Sequence, residues 1–493
     1  MKNFILLLNF ILPLVMTAKT IIVEPHGEYS SISEASHEAL PGDTILVKNG
    51  NYYDGNYIEE LQGEPDNYIT IRAENAGEVV FKGGSNAMHL IDPAFLRIEG
   101  LHFEGQSANG VNIDDGGSYD TPAHDLVISN CVWRVMGADG NNDELKLSGV
   151  KDFVIQNCTF KHGASGGSLI DMVGCHNGFI EKCRFENGGS NSIQIKGGSS
   201  GITVRQNEFR DGGLRAVNIG GSTGSEFFRP LDANAEASDI LVYSNLFFGG
   251  QTPFAFVGAV LSAAVNNTII MPEKWAFRIL QENNLPEMQK CSHNEVINNI
   301  FYFDGNISFS EINTGPNTKP ETFKFSKNLW YKENSTQWEG PNLPSEENNG
   351  LTGYYPEFKN YPGDLRLKSL SPAIGAGVHY DDVLRDHTGN KFKETRSIGA
   401  YEFYITDGIN NDLQNYKINI FPNPANDQIT ITSNEKIKLV EIVSLSGITV
   451  KTLDSKELRS NKNSGVQLSL EDINAGVYIM VINREYTGKL VVE

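Results

Sequence analysis

Apolar and polar residues alternate along short segments in the middle of the chain, and this alternation recurs at a fixed period. Three successive repeats begin with DELKLSG, SLIDMVG and SIQIKGG, and each continues into a second apolar segment that closes on an aromatic residue. The closing residues Phe160, Phe185 and Phe209 lie 25 and 24 residues apart. Short strands repeated at this period are typical of a solenoid in which each repeat forms one rung.

Side chains that alternate along a strand point to opposite faces of the sheet. The inward set is predicted to be Leu145, Leu147, Ile170, Met172, Ile193, Ile195, Val217 and Ile219. The outward set is predicted to be Asn112, Asp114, Glu144, Lys146, Asp171, Gln194, Lys196 and Asn218. Successive rungs are about 5 Å apart, so the outward side chains form a polar column. Such a column is either a solvated face or a binding groove.

The sequence predicts an all-β protein: a right-handed, single-stranded parallel β-helix followed by a small β-sandwich-like module. The right hand is that of most parallel crossovers. Residues 19–405 are predicted to form the β-helix, with a capping helix near Tyr29 to Ala39, an insertion at Ser222 to Ala237 and a closing segment from Asp364 to Phe403. Residues 406–417 are predicted to be a linker, and residues 418–493 the C-terminal module.

The first eighteen residues have Lys2, an apolar run and small residues at Thr17-Ala18, which indicate a secretory signal peptide. No other apolar run reaches the length that spans a membrane, so no transmembrane segment is predicted. Although an exported chain can form disulfides, Cys131, Cys158 and Cys183 occupy the same position of successive repeats. They are therefore predicted to be buried thiols stacked inside the coil, where free Cys behaves as a small hydrophobe.

The chain has 40 Lys and Arg against 61 Asp and Glu, a net charge of -21 at pH 7. A nucleic acid or an anionic membrane needs a basic surface, so neither is a predicted partner. An anionic polymer remains possible if the few cations are concentrated in one groove.

The C-terminal stretch contains FPNPANDQITI, then LSG, AGVYIMVIN and GKLVVE. In order and spacing it resembles the C-terminal sorting domain of the type IX secretion system of Bacteroidota. The resemblance implies export across the outer membrane by that machinery, followed by release or attachment to the cell surface.

The opening of the β-helix contains ALPGDTILVKNGNY, ITIRAENAGEVVFKGG and LRIEGLHFEG. It resembles the pectate-lyase-like β-helix superfamily and is most similar to polysaccharide lyase family 6, the alginate lyases and chondroitinase B. That family implies a lysine base, an assisting arginine, and Ca²⁺ bound by Asn and Glu side chains. The family's paired-glutamate strand and its arginine-histidine-glycine strand are not found, but Lys196 and Arg215 follow in the same order on comparable rungs.

The predicted chemistry is β-elimination from a uronate, which needs a base at the carbon next to the carboxylate and positive charge at the carboxylate. Lys196 is the predicted base if a neighbouring cation lowers its pKa, and Arg215 is its predicted catalytic partner. The predicted substrate-binding residues are Lys146, Asn218, Arg229, Arg278 and His176. If Ca²⁺ neutralises the carboxylate, its predicted oxygen ligands are Asp143, Glu144 and Asp171.

The favoured interpretation is a secreted lyase that cleaves an acidic polysaccharide or its oligosaccharides, such as alginate or ulvan. Three alternatives remain. The first is a β-helical glycoside hydrolase that uses carboxylates among Asp143, Glu144 and Asp171. The second is a dehydratase that eliminates water from a uronyl unit with the same base and clamp. The third is a non-catalytic, glycan-binding β-helix.

Overall fold

The structure is a computed structural model that describes residues 18–118, 120–137, 139–304, 311–335, 337–404, 418–433, 436–444, 449–454, 460–461, 465–483 and 486–493. The predicted signal peptide and the predicted linker at 406–417 lie outside these residues, apart from residue 18. Contacts divide the chain into two units. The first contains residues up to 356 and 372–402, and the second contains 357–371 and 403–493.

The first unit is a parallel β-helix built from three sheets, which the chain visits in the order sheet 1, sheet 2, sheet 3 in each turn. Sheet 1 consists of Thr20–Val23, Thr44–Val47, Ile69–Ala73, Ala94–Glu99, Ala123–Ser129, Val150–Gln156, His176–Glu181, Ser199–Arg205, Ala237–Tyr243, Ala259–Val260, Ala263–Val265, Glu295–Ile297, Lys324–Ser326 and Glu347–Asn348. Sheet 2 consists of Gly50–Tyr52, Val79–Lys82, His102–Glu104, Val132–Arg134, Thr159–Lys161, Arg184–Glu186, Glu208–Arg210, Leu246–Phe248, Thr268–Ile270, Ile300–Phe303, Leu329–Lys332 and Leu351–Thr352. Sheet 3 consists of Asn56–Glu59, Met88–Ile91, Val111–Asp114, Leu145–Ser148, Ser168–Val173, Asn191–Lys196, Arg215–Gly220, Phe254–Val257, Phe277–Leu280 and Ile312–Thr314.

The predicted alternation is present in sheet 3. Leu145, Leu147, Ile193 and Ile195 are fully buried, whereas Lys146 between the first two is partly exposed. Because the side chains of each strand alternate between core and surface, a register shift of one residue would expose the apolar set. The apolar pattern therefore fixes which polar residues face outward.

Aromatic rings stack along the inside of sheet 2, one from each rung. Centroids are 4.6 Å apart between Trp133 and Phe160, 5.2 Å between Phe160 and Phe185, and 4.7 Å between Phe185 and Phe209. The three ring pairs are within 10° of parallel. The stack explains why the closing aromatic of each repeat recurs at one position.

A second column runs along the corner between sheets 1 and 2, which we call the corner ladder. Its members are Cys131, Cys158, Cys183, Asn207, Asn245, Asn267, Asn299 and Asn328. As predicted, the three cysteines are buried free thiols. The backbone amide of each asparagine from Asn207 to Asn299 donates to the Oδ1 of the next, at 2.9–3.0 Å. The ladder thus holds successive rungs in register without burying an unpaired amide.

The N-terminal end of the coil carries the predicted helix, at Ile32–Ser36. The hydroxyl of Ser31 caps it by accepting a hydrogen bond from the Glu34 amide at 3.1 Å. Ile32 and Ala35 are buried against the first rungs. The helix therefore covers the open end of the apolar core.

The segment Asp364 to Phe403, predicted to close the coil, adds no rung to it, and its larger part belongs to the first unit. The last coil strands are Glu347–Asn348 and Leu351–Thr352, and residues 364–371 belong to the second unit. Residues 372–402 contain no strand and pack on the outer face of sheet 1, where Asn266 Nδ2 donates to the carbonyls of Ser397 and Gly399. Segments without apolar alternation cannot add a rung, because they offer no side chains for the core.

The second unit contains small antiparallel sheets. One pairs Asn419–Phe421, Gln428–Thr432, Gly465–Ser469 and Ser460–Asn461, and another pairs Thr449–Asp454, Leu439–Ser444, Gly476–Ile482 and Tyr486–Val492. Ile429 and Leu468 of the former share a buried cluster with Ile442 and Met480 of the latter. Phe358–Asn360 and Asp364–Leu367 form a further antiparallel pair.

None of the described helices is long and apolar enough to cross a membrane.

We predict that Asn267→Ala destabilises the β-helix by about 3–5 kcal/mol, because it leaves several buried groups without partners. Asn267 Oδ1 accepts from the Asn245 amide and side chain, both at 3.0 Å, and its Nδ2 donates to the Val242 carbonyl at 2.8 Å. Urea unfolding followed by circular dichroism measures the change. The control is Asn75→Ala at an exposed turn, and equal midpoints for the two variants would contradict the role of the ladder.

Candidate functional site

The outer face of sheet 3 carries two columns of side chains, of which the central one is in continuous register. The central column contains Tyr57, His89, Asn112, Lys146, Asp171, Gln194, Asn218, Ala255, Arg278 and Asn313. The flanking column, two residues further along each strand, is paired from Glu59 through Ile91, Asp114, Ser148 and Val173 to Lys196, and again from Gly220 through Val257 to Leu280. Most of the side chains predicted to face outward therefore lie on one surface.

Four charged residues meet in the middle of this face. Lys146 Nζ lies 2.8 Å from Asp171 Oδ2 and 3.3 Å from Asp143 Oδ2. Lys196 Nζ lies 3.1 Å from the other oxygen of Asp171, without the alignment of a hydrogen bond. Asp143 Oδ1 accepts from the Ser168 amide at 2.8 Å. We call Lys146, Lys196, Asp143 and Asp171 the charge cluster.

The charge cluster has its cations outermost. The side chains of Lys146 and Lys196 are 28% and 16% exposed, whereas those of Asp143 and Asp171 are 1% and 3% exposed. A molecule that lies on the face therefore meets ammonium groups first, with the carboxylates beneath them.

Burial and charge shift two pKa values in this cluster. Burial raises the pKa of the Asp143 carboxyl, and the Asp171 carboxylate raises it further. Burial alone would lower the pKa of Lys146, but Asp171 and Asp143 outweigh that effect and leave it raised. Lys146 is therefore a fixed positive charge rather than a base.

The next rungs carry amides and an arginine. Asn191 Nδ2 donates to Gln194 Oε1 at 2.8 Å, which orients the Gln194 side chain on the face. Arg215 donates to Asn218 Oδ1 at 3.2 Å and to Glu282 Oε1 at 2.5 Å. Arg215 is thus brought to the face beside Asn218, but its nearest anion is Glu282 and its side chain does not contact Lys196 within the described contacts.

Arg278 lies two rungs beyond Asn218, with the small Ala255 between them in the central column. Its Nε donates to Asn313 Oδ1 at 2.9 Å, and its guanidinium lies 4.4 Å from the ring centroid of Trp275. Burial lowers the pKa of Arg278, and the positive charge of Arg215 lowers it further. Two guanidinium groups therefore share this end of the face.

Two loops border the face at the corner between sheets 3 and 1. The buried carboxylate of Glu236 accepts from the amides of Gly197 and Thr223, at 3.0 and 2.8 Å, and from Asn283 Nδ2 at 2.7 Å. Gly197 directly follows Lys196 and has a φ of +67°, a conformation that suits glycine. Glu236 therefore joins the 222–236 insertion and the loop after Leu280 to the residue next to Lys196.

Arg229 and His176, both predicted to bind substrate, lie outside the two columns, Arg229 at the corner between sheets 3 and 1 and His176 on sheet 1. Arg229 donates to both carboxylate oxygens of Asp115, at 2.7 and 3.3 Å. His176, on sheet 1, contacts the carbonyl of Arg229 at 3.1 Å and Ser200 Oγ at 2.8 Å. These contacts anchor the insertion. A cleft of about 290 Å³ beside them is lined largely by apolar groups, including Pro230 and Leu231.

The prediction that Glu144 faces outward is wrong. Its side chain is fully buried, and neither carboxyl oxygen has a hydrogen-bond partner in the described part of the chain. The strand begins at Leu145, so residue 144 belongs to the preceding corner and does not follow the alternation. Burial raises the pKa of Glu144 well above its ordinary value.

The three predicted Ca²⁺ ligands do not form a cation site. Lys146 Nζ already lies between Asp143 and Asp171, and Glu144 is directed into the core. In the described residues, no group of three or more His, Cys, Asp or Glu side chains is arranged to hold a metal.

Sequence reasoning missed Glu236, Glu282 and Asn191. Glu236 and Glu282 reach the face from loops, whose contacts do not follow the repeat. Asn191 was detectable, because it opens the strand that contains Gln194. Trp275 precedes the strand of Arg278, and an aromatic residue so close to an outward arginine was a signal for a stacked guanidinium.

Two family models match parts of the chain. One described as a right handed beta helix region matches residues 77–230, and one described as a secretion system C-terminal sorting domain matches residues 419–493. No curated protein sequence matches the chain. The coil is therefore a right-handed parallel β-helix, as predicted. The C-terminal match confirms a type IX sorting domain, so the protein is exported and then released or attached to the cell surface.

Solved structures share the architecture at low sequence identity. Pectate lyase Pel9A is 13% identical with a TM-score of 0.53, and the alignment covers 79% of this chain and 97% of that one. XylC in complex with xylose is 11% identical with a TM-score of 0.48, covering 79% and 98%. An alginate lyase from Paenibacillus sp. str. FPU-7 is 16% identical with a TM-score of 0.41, covering 63% and 97%. The likeness to Pel9A shows a pectate-lyase-like fold.

We predict that Glu144→Gln stabilises the protein increasingly as the pH rises. The folded-state pKa of Glu144 lies above its ordinary value of 4.5, so the folded protein keeps a proton that the unfolded chain releases. The wild type therefore loses stability as the pH rises from the unfolded pKa to the folded pKa, by up to about 1.4 kcal/mol per pH unit. The glutamine variant has no such loss.

Urea unfolding midpoints of both proteins between pH 5 and pH 8 measure this difference. The control is Glu104→Gln, because Arg134 lowers the pKa of Glu104 and its removal should not produce a gain that grows with pH. A constant difference between Glu144→Gln and wild type across this range would show that the Glu144 carboxyl is ionised in the folded protein.

Proposed function

We propose that this protein is a secreted polysaccharide lyase that cleaves a uronate-containing polysaccharide or oligosaccharide by β-elimination. The observation that carries the proposal is the order of charge on the outer face of sheet 3. The ammonium groups of Lys146 and Lys196 lie outermost, and the carboxylates of the charge cluster lie buried beneath them. The face is therefore suited to an anionic chain, although the protein as a whole has a net charge of -21.

Positive charge on this face has a chemical use beyond binding. The hydrogen on the carbon next to a carboxylate is very weakly acidic until the carboxylate charge is neutralised. Lys146, Arg215 and Arg278 are the candidates for that role, because each carries a permanent positive charge on the face. Concentrated positive charge also speeds the encounter with a polyanion, an effect that salt screens.

Lys196 is the proposed base. In the elimination its neutral amine takes the proton from the carbon next to the carboxylate, a double bond forms, and the bond from the adjacent carbon to the glycosidic oxygen breaks. A second proton must reach the departing oxygen, either from water or from the protonated base. Lys196 differs from Lys146 in having one carboxylate within 4 Å rather than two, and in adjoining the corner fixed by Glu236.

The nearest charge to Lys196 is the Asp171 carboxylate, and a cation was expected there at the level of sequence. A substrate carboxylate on the face would compete with Asp171 for the lysine and arginine groups. Ca²⁺ has no step in this proposal, and the chelator arm of the experiment below tests that point.

Hydrolysis is the second candidate, and the raised pKa of Asp143 beside Asp171 favours it. A glycoside hydrolase needs one protonated and one ionised carboxyl on either side of the scissile bond. However, both side chains are almost completely buried and both contact Lys146. A general acid must reach the glycosidic oxygen, so the geometry favours elimination over hydrolysis.

We predict that the protein produces ultraviolet absorbance near the wavelength of an unsaturated uronate when incubated with its polymer. The panel contains alginate, polygalacturonate, unsulfated chondroitin, hyaluronan and ulvan, each with and without EDTA. Absorbance that persists in EDTA is the expected result. New reducing ends without absorbance would establish hydrolysis instead, and neither signal on any polymer would leave glycan binding as the function.

We predict that Lys196→Ala lowers kcat by at least about 100-fold on the polymer so identified, the range expected for loss of a general base. The matched control is Lys161→Ala. Lys161 lies on sheet 2 and pairs with Glu186 of the next rung at 2.7 Å, as Lys146 pairs with Asp171. Near-normal turnover by Lys196→Ala, with an unchanged unfolding midpoint, would remove Lys196 from the role of base.

A further inference from the structure

The outer face of sheet 3 changes character along the coil. From Leu145 onward its central and flanking columns carry Lys146, Lys196 and Arg278. The three rungs before Leu145 carry no lysine or arginine in either column, and instead carry Tyr57, Glu59, His89, Ile91, Asn112 and Asp114. We call these three rungs the N-terminal segment of the face, and the remainder the cationic segment.

The negative charge of the N-terminal segment is not neutralised by a strong cation. Asp114 Oδ2 contacts His89 Nε2 at 2.6 Å and accepts from Asn112 Nδ2 at 2.8 Å. Glu59 accepts from the Tyr57 hydroxyl at 2.8 Å. Among the described residues, no ion pair joins Asp114 or Glu59 to a lysine or an arginine. A uronate placed on these rungs would be repelled.

The same rungs offer groups that suit an uncharged sugar. Tyr57 is 57% exposed on the central column, and its ring packs edge-on against the His89 imidazole with centroids 5.3 Å apart. An exposed, fixed aromatic ring presents an apolar surface to the C–H face of a sugar. The amide, imidazole and carboxylate of Asn112, His89 and Asp114 supply both donors and acceptors for hydroxyl groups.

The two segments form one continuous surface. Tyr57, His89, Asn112 and Lys146 are direct register partners in adjacent strands, so Tyr57 lies three rungs, about 15 Å, from Lys146. A chain that places a uronate over the charge cluster and runs along the columns therefore crosses Tyr57 within a few sugar units.

We propose that the N-terminal segment is a binding subsite for neutral sugars, and that the substrate is a heteropolysaccharide in which uncharged residues adjoin the uronate. This inference rests on the proposed function, since it takes the cationic segment as the uronate site. The N-terminal segment would disfavour a homopolymer of uronates. Whenever such a chain extends from the charge cluster over these rungs, one of its carboxylates lies against Asp114 or Glu59.

The test measures binding rather than cleavage. Full-length proteins with Lys196→Ala, used to limit degradation, are run in gels that contain unsulfated chondroitin, hyaluronan, polygalacturonate or polymannuronate. The first two polymers alternate glucuronate with a neutral N-acetylated sugar, and the last two are homopolymeric uronates. Retardation as a function of polymer concentration gives the apparent Kd.

Added to this background, Tyr57→Ala is expected to weaken binding of the alternating polymer by about three- to tenfold. The matched control is Tyr53→Ala, which removes an even more exposed tyrosine, 67% exposed, that lies off the columns and should change binding less than twofold. The double variant Glu59→Gln and Asp114→Asn is expected to strengthen binding of the homopolymers by about three- to tenfold at low salt, and less at high salt.

Equal effects of Tyr57→Ala and Tyr53→Ala, homopolymer binding that the double variant leaves unchanged, or no retardation by any of the four polymers would each overturn the inference. These experiments distinguish failure of the subsite proposal from failure of the catalytic proposal. Cleavage by the wild type with no role for Tyr57 removes only the subsite. Binding that depends on Tyr57 in a protein that cleaves none of the polymers supports the subsite and removes the lyase.

Discussion

The hydrogen-bonded corner ladder is the constraint on which the rest of the β-helix depends. From Asn207 to Asn328, each rung after the first supplies an amide oxygen that accepts the backbone N–H of the rung before it. The residues just before the ladder, such as Gln206, Ser244, Asn266 and Asn298, have positive φ values, which turn the chain sharply from sheet 1 into sheet 2. Each turn is therefore fixed at one residue. With the turn fixed, the aromatic stack of sheet 2 and the alternation of sheet 3 fall into register.

Because the register is fixed, side chains that are far apart in sequence are aligned in columns on one surface. Lys146 and Asp171 are 25 residues apart in sequence, yet they are direct neighbours because their strands pair residue by residue. The order of residues along a column is then the order of charges along a surface. The rungs before Leu145 end in Asp114, and those after it carry lysine and arginine. A linear polymer bound along the face therefore meets different charges at its two ends. A single mutation in the corner would disturb this order only if it shifted the register of a whole rung.

Most of the fold was predictable from sequence because one short period controls it. The inward residues Leu145 to Ile219, the stacked cysteines and the contact of Lys146 with Asp171 all follow from alternation and repeat length. The period says nothing about residues outside strands, which is why Glu144, placed one residue before its strand, was assigned to the wrong face. It is also silent on loops: Arg229 pairs with Asp115 across 114 residues, and Glu236 reaches the backbone beside Lys196 from an insertion. The columns of the candidate site were therefore predictable from the sequence, but the loops that border it were not.

The charge cluster lowers the stability of the fold relative to an apolar filling of the same positions. A structural role alone therefore does not explain why it is there. Burying Asp143 and Asp171 requires removing both carboxylates from water, and replacing a buried ion pair by apolar residues is often neutral or stabilising. Elsewhere on the same face the equivalent outward positions are filled by apolar residues, as at Ala255 and Val257, three rungs beyond Asp171. A scaffold that only had to stack would gain nothing from Lys146 held between two buried carboxylates. A face that must hold two ammonium groups at fixed positions does gain, since the carboxylates beneath them fix both cations. The raised pKa of Lys146 reflects that support, because Lys146 has two carboxylates within 4 Å, whereas Lys196 has one.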